Sequence, residues 1–131
     1  GVKRDVHLLS EGRSEETRVF SEEVAAELKA MLATVVREGT GSRAAIEGYE
    51  VAGKTGTVRK FGVDGYKDDS HLAFFAGMAP LDRPRIVGVV LINDPKTKEY
   101  GGGSIAAPVF SRVMKSALRI LNVPPNFDEA A

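Results

Sequence analysis

The chain has 131 residues, of which 43% are hydrophobic and 27% are charged, and its 18 basic side chains balance its 18 acidic ones. This length suits one soluble domain or part of one. Zero net charge argues against nucleic-acid or membrane-surface partners, because those are bound by surplus Lys and Arg. Without cysteine there is no disulfide, thiolate zinc site or thiol nucleophile. No apolar run reaches the roughly 18 residues of a membrane helix, so we expect no membrane contact from this chain itself.

The first twenty residues are highly charged, and we expect an irregular lead-in there. From Ser21 onward, apolar residues recur every three or four positions and predict a helix over 21–38. Ser21 is a suitable N-cap, and Gly39 directly follows the last turn as a stop. A further helical turn is expected over 42–46.

Three strands are predicted next, over 49–59, 72–79 and 86–92. The third reads Ile-Val-Gly-Val-Val-Leu-Ile. A strand that is apolar on both faces should lie inside a sheet, covered on both sides and paired at both edges. Residues 80–84, with a proline at each end, should join the second and third strands as a hairpin.

A glycine-rich loop over 93–104 leads to a last helix, which has Pro108 in its first turn and which we expect to end at Pro124-Pro125. The order of helix, three strands and helix indicates an α+β fold, an antiparallel sheet flanked by helices. We find no internal repeat and no domain boundary, so residues 1–131 are treated as one unit.

Residues 48–55, Gly-Tyr-Glu-Val-Ala-Gly-Lys-Thr, match the phosphate-binding P-loop letter for letter. A P-loop needs an apolar strand before its first glycine and a helix that begins at its lysine. Neither is indicated, because glycine and β-branched residues after Thr55 are a poor helix start. Residues 39–44 imitate a dinucleotide fingerprint but follow a helix, which favours a helix cap and turn. Nucleotide binding is the weaker interpretation of both segments.

Read as a strand instead, Lys54-Thr55-Gly56-Thr57 (the KTG segment) places a cation, two hydroxyls on one side and an uncluttered backbone along an extended edge. Such an edge can hold an anionic, peptide-like ligand. Gly56 leaves room for a substrate backbone, and an outward Thr57 amide can donate to an oxyanion. An exposed hairpin strand with a solvated lysine explains these four residues equally well.

Corroboration comes from elsewhere in the chain. K-T-G is a motif of penicillin-binding proteins and serine β-lactamases. Five further segments stand in family order and resemble the division-specific class B penicillin-binding proteins: 74–80, 93–95, 100–102, 106–110 and 121–125. The resemblance implies their fold, with three of its five sheet strands here, and no cofactor or metal. It also implies the activity of a D,D-transpeptidase that cross-links septal peptidoglycan and is acylated by β-lactams.

The resemblance also implies residue roles. Lys54 would orient the proton network around the nucleophile. Thr55 and Thr57 would hold a carboxylate of the stem peptide or β-lactam, and the Thr57 N–H would be half of the oxyanion hole. Gly56 would permit the close approach. Residues 60–70 would form a loop over the cleft, and Tyr100, Gly101 and Gly102 would close another wall.

One departure from the family is decisive. No serine in the chain is followed by Lys at the third position or by Asn at the second, so the Ser-x-x-Lys and Ser-x-Asn motifs are absent. The chain resembles only the carboxyl-terminal half of the transpeptidase domain, and we expect it to be inactive alone. An amino-terminal half that carries both motifs is the predicted partner, beside the otherwise exposed edge of the third strand. The resemblance further implies other division proteins as partners and the periplasmic side of the inner membrane, with the anchor outside this chain.

Other functions stay open. A β-lactamase or β-lactam sensor domain shares K-T-G, and a non-catalytic module could simply complete a partner's sheet. Metal binding is not favoured, because His7 and His71 stand apart from other candidate ligands. His71 could instead touch substrate, and Phe61 and Tyr66 could shape the loop over a ligand. Asp68-Asp69 does not suit an acid/base pair, because adjacent side chains point apart.

Overall fold

The computed structural model describes residues 2–3, 16–63 and 65–126. In chain order its elements are β1 (Val2–Lys3), β2 (Thr17–Arg18), α1 (Glu22–Arg37), a 3-10 turn (Ser42–Ala44), β3 (Ala52–Gly62), β4 (Gly65–Ala79), β5 (Ile86–Asn93), a π-helical turn (Gly102–Ala106) and α2 (Ala107–Ile120). Of the side chains raised above, His7, Tyr66, Asp68 and Asp69 lie outside the described part.

The first helix follows the sequence closely. Ser21 caps α1, and its Oγ accepts a hydrogen bond from the Val24 N–H at 3.2 Å. The second helix ends earlier than expected, at Ile120 rather than at the prolines. Asn122 takes a left-handed conformation with φ of 50°, and the Val123 N–H turns back to the Leu118 carbonyl at 3.0 Å. The helix is therefore stopped by Asn122 before the prolines are reached.

The sheet is antiparallel, in the order β3-β4-β5. Helix α2 packs on one face, where Phe75 of β4 meets Phe110 of α2 with ring centroids 4.8 Å apart. Phe75, Phe110 and Leu118 are the largest fully buried side chains among the described residues. The α+β fold and the hairpin over 80–84 are as the sequence predicts.

The expectation of an irregular lead-in is wrong for the described part of the first twenty residues, because β1 and β2 form a short antiparallel pair. The prediction of a loop over 60–70 is also wrong. Strands β3 and β4 continue as one long hairpin in which Gly62 pairs with Gly65. Gly65 has φ of +106°, a conformation open to glycine, and this permits a short connection in place of the expected loop.

Strand β5 departs from the expectation of an interior strand. Within the described residues it pairs with β4 only, and α2 covers only one of its faces. On its other face Val87, Val89 and Leu91 are 73%, 64% and 56% exposed. The unpaired edge of β5 in the described sheet is the one expected for the third strand without a partner segment, and the exposed face lies beside it.

Candidate active site

The KTG segment lies in β3, at the outer edge of the described sheet. Lys54 does not begin a helix, so the P-loop interpretation is wrong for this segment. Because β3 pairs with β4 along one side, alternate backbone N–H and C=O groups of its other side point away from the sheet. An edge strand of this kind can receive a peptide-like ligand.

A cleft of about 470 Å³ borders this edge, and we call it the KTG cleft. Three segments line it: the turn after α1, the KTG segment, and the loop before α2. The lining residues are Gly39, Thr40, Ser42, Arg43, Thr55, Gly56, Thr57, Glu99, Gly101, Gly102, Gly103 and Ser104. Of the residues expected at the site, the cleft thus brings together Thr55, Gly56, Thr57, Gly101 and Gly102.

The two KTG hydroxyls are held by groups from the other two segments. Thr55 Oγ1 lies 2.8 Å from Thr40 Oγ1, and Thr57 Oγ1 accepts a hydrogen bond from the Gly102 N–H at 3.1 Å. Both threonines point to the same side of β3, as alternate strand residues do. The cleft wall is therefore a row of hydroxyls with fixed partners.

Lys54 lies on the opposite face of β3 from the two threonines. Its ammonium reaches back over the strand edge, where Nζ donates to the Thr55 carbonyl at 2.9 Å and lies 3.4 Å from Thr55 Oγ1. The positive charge thus stands between the cleft and the exposed face of the sheet.

Close backbone approach depends on glycine at two places. A Cβ at Gly56 would lie 2.0 Å from the Phe74 ring, so on this side the missing side chain makes room for packing. A Cβ at Gly102 would lie 2.2 Å from the Phe74 carbonyl oxygen and 2.5 Å from that of Gly56. The loop before α2 can therefore lie directly on β3.

Tyr100 stands beside the cleft rather than among its lining residues. Its ring stacks on His71 of β4, with centroids 4.1 Å apart. The same loop is tied down at its start, where the Asp94 N–H donates to the His71 carbonyl at 2.8 Å. A hydrogen bond from the Lys96 ammonium lowers the pKa of Asp94 below its ordinary value.

Arg43 closes the outer side of the cleft. Its Nη1 donates to the Ser104 carbonyl at 3.2 Å and lies 3.4 Å from Glu99 Oε2. Both side chains of this ion pair are more than half exposed, so it contributes at most about 1 kcal/mol. A ligand carboxylate could therefore replace Glu99 at low cost.

Residues 1–115 match the family of the penicillin binding protein transpeptidase domain. The chain belongs to this family. It is 43% identical over 110 residues to the peptidoglycan D,D-transpeptidase FtsI of Escherichia coli, covering 83% of this chain and 19% of the relative. It is 39% identical over 109 residues to the probable peptidoglycan D,D-transpeptidase PenA of Neisseria gonorrhoeae, with coverage of 82% and 19%. It spans about a fifth of the length of these relatives.

Solved structures agree. The transpeptidase domain of penicillin-binding protein 3 from Burkholderia pseudomallei superposes with a TM-score of 0.80 at 42% identity, over 92% of this chain and 37% of that one. Penicillin-binding protein 3 of Mycobacterium tuberculosis, solved with ampicillin, gives 0.75 at 31% identity, over 92% and 29%. The resemblance and the fold inferred from the sequence are confirmed.

Sequence reasoning missed seven of the residues that line the KTG cleft: Gly39, Thr40, Ser42, Arg43, Glu99, Gly103 and Ser104. The segment 39–44 was correctly interpreted as a helix cap and turn. Nothing local reveals that this turn reaches Thr55, because the packing of α1 against β3 brings the two segments together. Within the described ranges, no three His, Cys, Asp or Glu side chains cluster to suit a metal, and no helix is long and apolar enough to cross a membrane.

Proposed function

We propose that this chain forms one wall of the active site of a peptidoglycan D,D-transpeptidase of septal cell-wall synthesis, an enzyme that β-lactams acylate. The observation that carries the proposal is the KTG segment on an open strand edge, with its two hydroxyls facing a cleft. Relatives that bear the name peptidoglycan D,D-transpeptidase support it. The periplasmic side of the inner membrane and association with other division proteins belong to the same proposal.

The reaction is serine acyl transfer. A serine attacks the D-Ala-D-Ala carbonyl, the terminal D-Ala leaves, and the amine of a neighbouring stem peptide resolves the acyl-enzyme. Thr55 and Thr57 hold the carboxylate of the stem peptide, and the Thr57 N–H stabilises the oxyanion. Loss of one such oxyanion donor costs a factor of about 100 to 1000 in turnover. Gly101 forms a further wall for the substrate, and Tyr100, stacked on His71 beside the cleft, would extend that wall.

The nucleophile must come from a segment other than these 131 residues, and the sheet offers it a place. Lys54 pairs with Ala76 of β4, and Ala76 pairs with Val89 of β5. Residues that pair directly across a sheet share a face, so Lys54 and the exposed Val89 lie in one row about 10 Å long. We infer that the amino-terminal half of the domain covers this face and brings its Ser-x-x-Lys and Ser-x-Asn motifs to Lys54.

Labelled penicillin tests the function. The chain is incubated with the label alone and together with the amino-terminal half, and intact masses are measured. We expect an adduct on the amino-terminal half only, released slowly. An adduct on this chain alone would contradict the assignment of the nucleophile, and no adduct in the mixture would contradict the function. Rapid release would point instead to a β-lactamase.

A separate prediction follows if the amino-terminal half covers the sheet face that carries Lys54 and Val89. Val89→Lys places an ammonium where the amino-terminal half should bury a valine, and we expect its affinity for that half to fall about 100-fold, because an unpaired charge is costly to bury. Val63→Lys is the control, since Val63 is fully exposed at the tip of the β3–β4 hairpin. Titration calorimetry of the two halves measures both variants. Equal affinity for Val89→Lys and the parent would show that this face is not the contact.

A further inference from the structure

Thr40 holds a fixed position in the KTG cleft that the proposed function leaves unused. It follows α1 in a tight turn, in which the Gly41 N–H donates to the Val35 carbonyl at 3.0 Å and the Ala44 N–H donates to the Gly41 carbonyl at 2.8 Å. A Cβ at Gly103 would lie 2.1 Å from the Thr40 carbonyl oxygen, so the loop before α2 presses on the turn from the other side. The Thr40 backbone is therefore held between two segments.

The Thr40 side chain bonds to Thr55 at 2.8 Å between their Oγ1 atoms. Lys54 Nζ lies 3.4 Å from the same Thr55 oxygen, and an ammonium can only donate. Two hydroxyls in one hydrogen bond use one proton between them. Whichever hydroxyl donates, one proton of the pair is left for a group in the cleft.

Thr57 is arranged in a matching way. Its Oγ1 accepts from the Gly102 N–H at 3.1 Å, which leaves the hydroxyl proton free to point elsewhere. The row of threonines thus presents two free hydroxyl protons beside the Lys54 ammonium. An ionised carboxylate has two oxygens that only accept, so it matches this row.

We propose that Thr40 is a positioning residue. Its hydroxyl bond to Thr55 uses one of the two hydroxyl protons, and the other proton is left to point into the KTG cleft, so that the cleft offers only hydrogen-bond donors to the ligand carboxylate. The inference rests on the proposed function and names a residue on which that site depends. Without the Thr40 hydroxyl, the Thr55 hydroxyl keeps only the longer 3.4 Å contact with Lys54 Nζ, and its proton can rotate away from the carboxylate. The consequence is specific to ligands that carry a free carboxylate.

A purely structural role makes a different expectation. If the Thr40–Thr55 bond only fastens the turn after α1 to β3, its loss should slow acylation by every β-lactam alike. A charged ligand and its neutral ester therefore separate the two roles. Thr34 supplies a matched control, because its Oγ1 bonds to the Ala30 carbonyl within α1 at 3.1 Å and does not line the cleft.

The test uses the chain together with the amino-terminal half and measures the second-order rate constant of acylation by benzylpenicillin and by its methyl ester. We expect Thr40→Val to slow the free acid about 10- to 100-fold, the range for a hydrogen bond to a charged group. The ester should change less than about twofold, because it lacks the charge that the aligned hydroxyls recognise. Thr40→Ser should restore the parent rate constant, and Thr34→Val should leave both rate constants unchanged.

The outcomes distinguish a failure of the Thr40 role from a failure of the proposed function. If the parent complex is not acylated by either ligand, the proposed function fails and the inference fails with it. If the parent is acylated but Thr40→Val matches it, or slows both ligands equally, the positioning role is overturned while the function stands. Failure of Thr40→Ser to restore the rate would likewise overturn a role for the hydroxyl.

Discussion

Replacement of Gly102 by alanine is expected to destabilise the fold by about 2–3 kcal/mol and to slow β-lactam acylation about 100-fold. The new Cβ would lie 2.2 Å and 2.5 Å from the carbonyl oxygens of Phe74 and Gly56. Both are strand backbone atoms that cannot rotate away, so the π-helical turn must move off β3. That movement withdraws the Gly102 N–H from Thr57 Oγ1, which then loses its fixed partner in the cleft.

Gly101→Ala is the matched control for stability. Gly101 has φ of −72° and ψ of 146°, which alanine adopts freely, and the nearest atom to its Cβ would be Ser104 Oγ at an ordinary 3.8 Å. Its stability should stay within about 0.5 kcal/mol of the parent. Urea denaturation of the two variants, with acylation of Gly102→Ala beside the amino-terminal half, makes the comparison. A Gly102→Ala protein with parental stability would refute the contact on which the loop position depends.

Leu118→Ala is expected to cost about 2–5 kcal/mol of unfolding free energy. Leu118 lies on the inner side of α2, is completely buried, and belongs to the core cluster that includes Phe75 and Phe110. Truncation removes packed methyl groups and leaves a cavity that the surrounding sheet and helix can close only in part.

Leu121→Ala makes the same chemical change three residues later, where the side chain is 52% exposed. Its backbone N–H bond to the Ala117 carbonyl survives the substitution, so we expect a loss of less than about 1 kcal/mol. Parallel urea titrations of both variants give the difference. Similar losses at the two positions would mean that α2 does not pack on the sheet through Leu118.

Local signals were enough for most of the secondary structure. The cap at Ser21, the apolar spacing of both helices and the β-branched strands all act through neighbours close in sequence, and each predicted helix and strand is present. The largest boundary error is in the second strand, which was predicted over 72–79 and begins at Gly65. The main error falls between the first two predicted strands. The loop over 60–70 was expected from the resemblance, whereas the Gly62–Gly65 pairing lets both strands continue through these residues.

The site residues likewise divide into those that local sequence indicated and those that only packing brings together. The four residues of the KTG segment and the family-like segments around it indicated the correct family. The cation, the two hydroxyls and the glycine of this strand edge are adjacent in sequence, so their chemistry is recognisable without the tertiary structure. Thr40 and Gly103 could not be found in this way, because they meet Thr55 only after α1 and the loop before α2 pack on β3. Residue types and short spacings therefore determined the fold class and the kind of chemistry. Packing between segments distant in sequence decided which hydroxyls share the cleft and which face of the sheet carries Lys54.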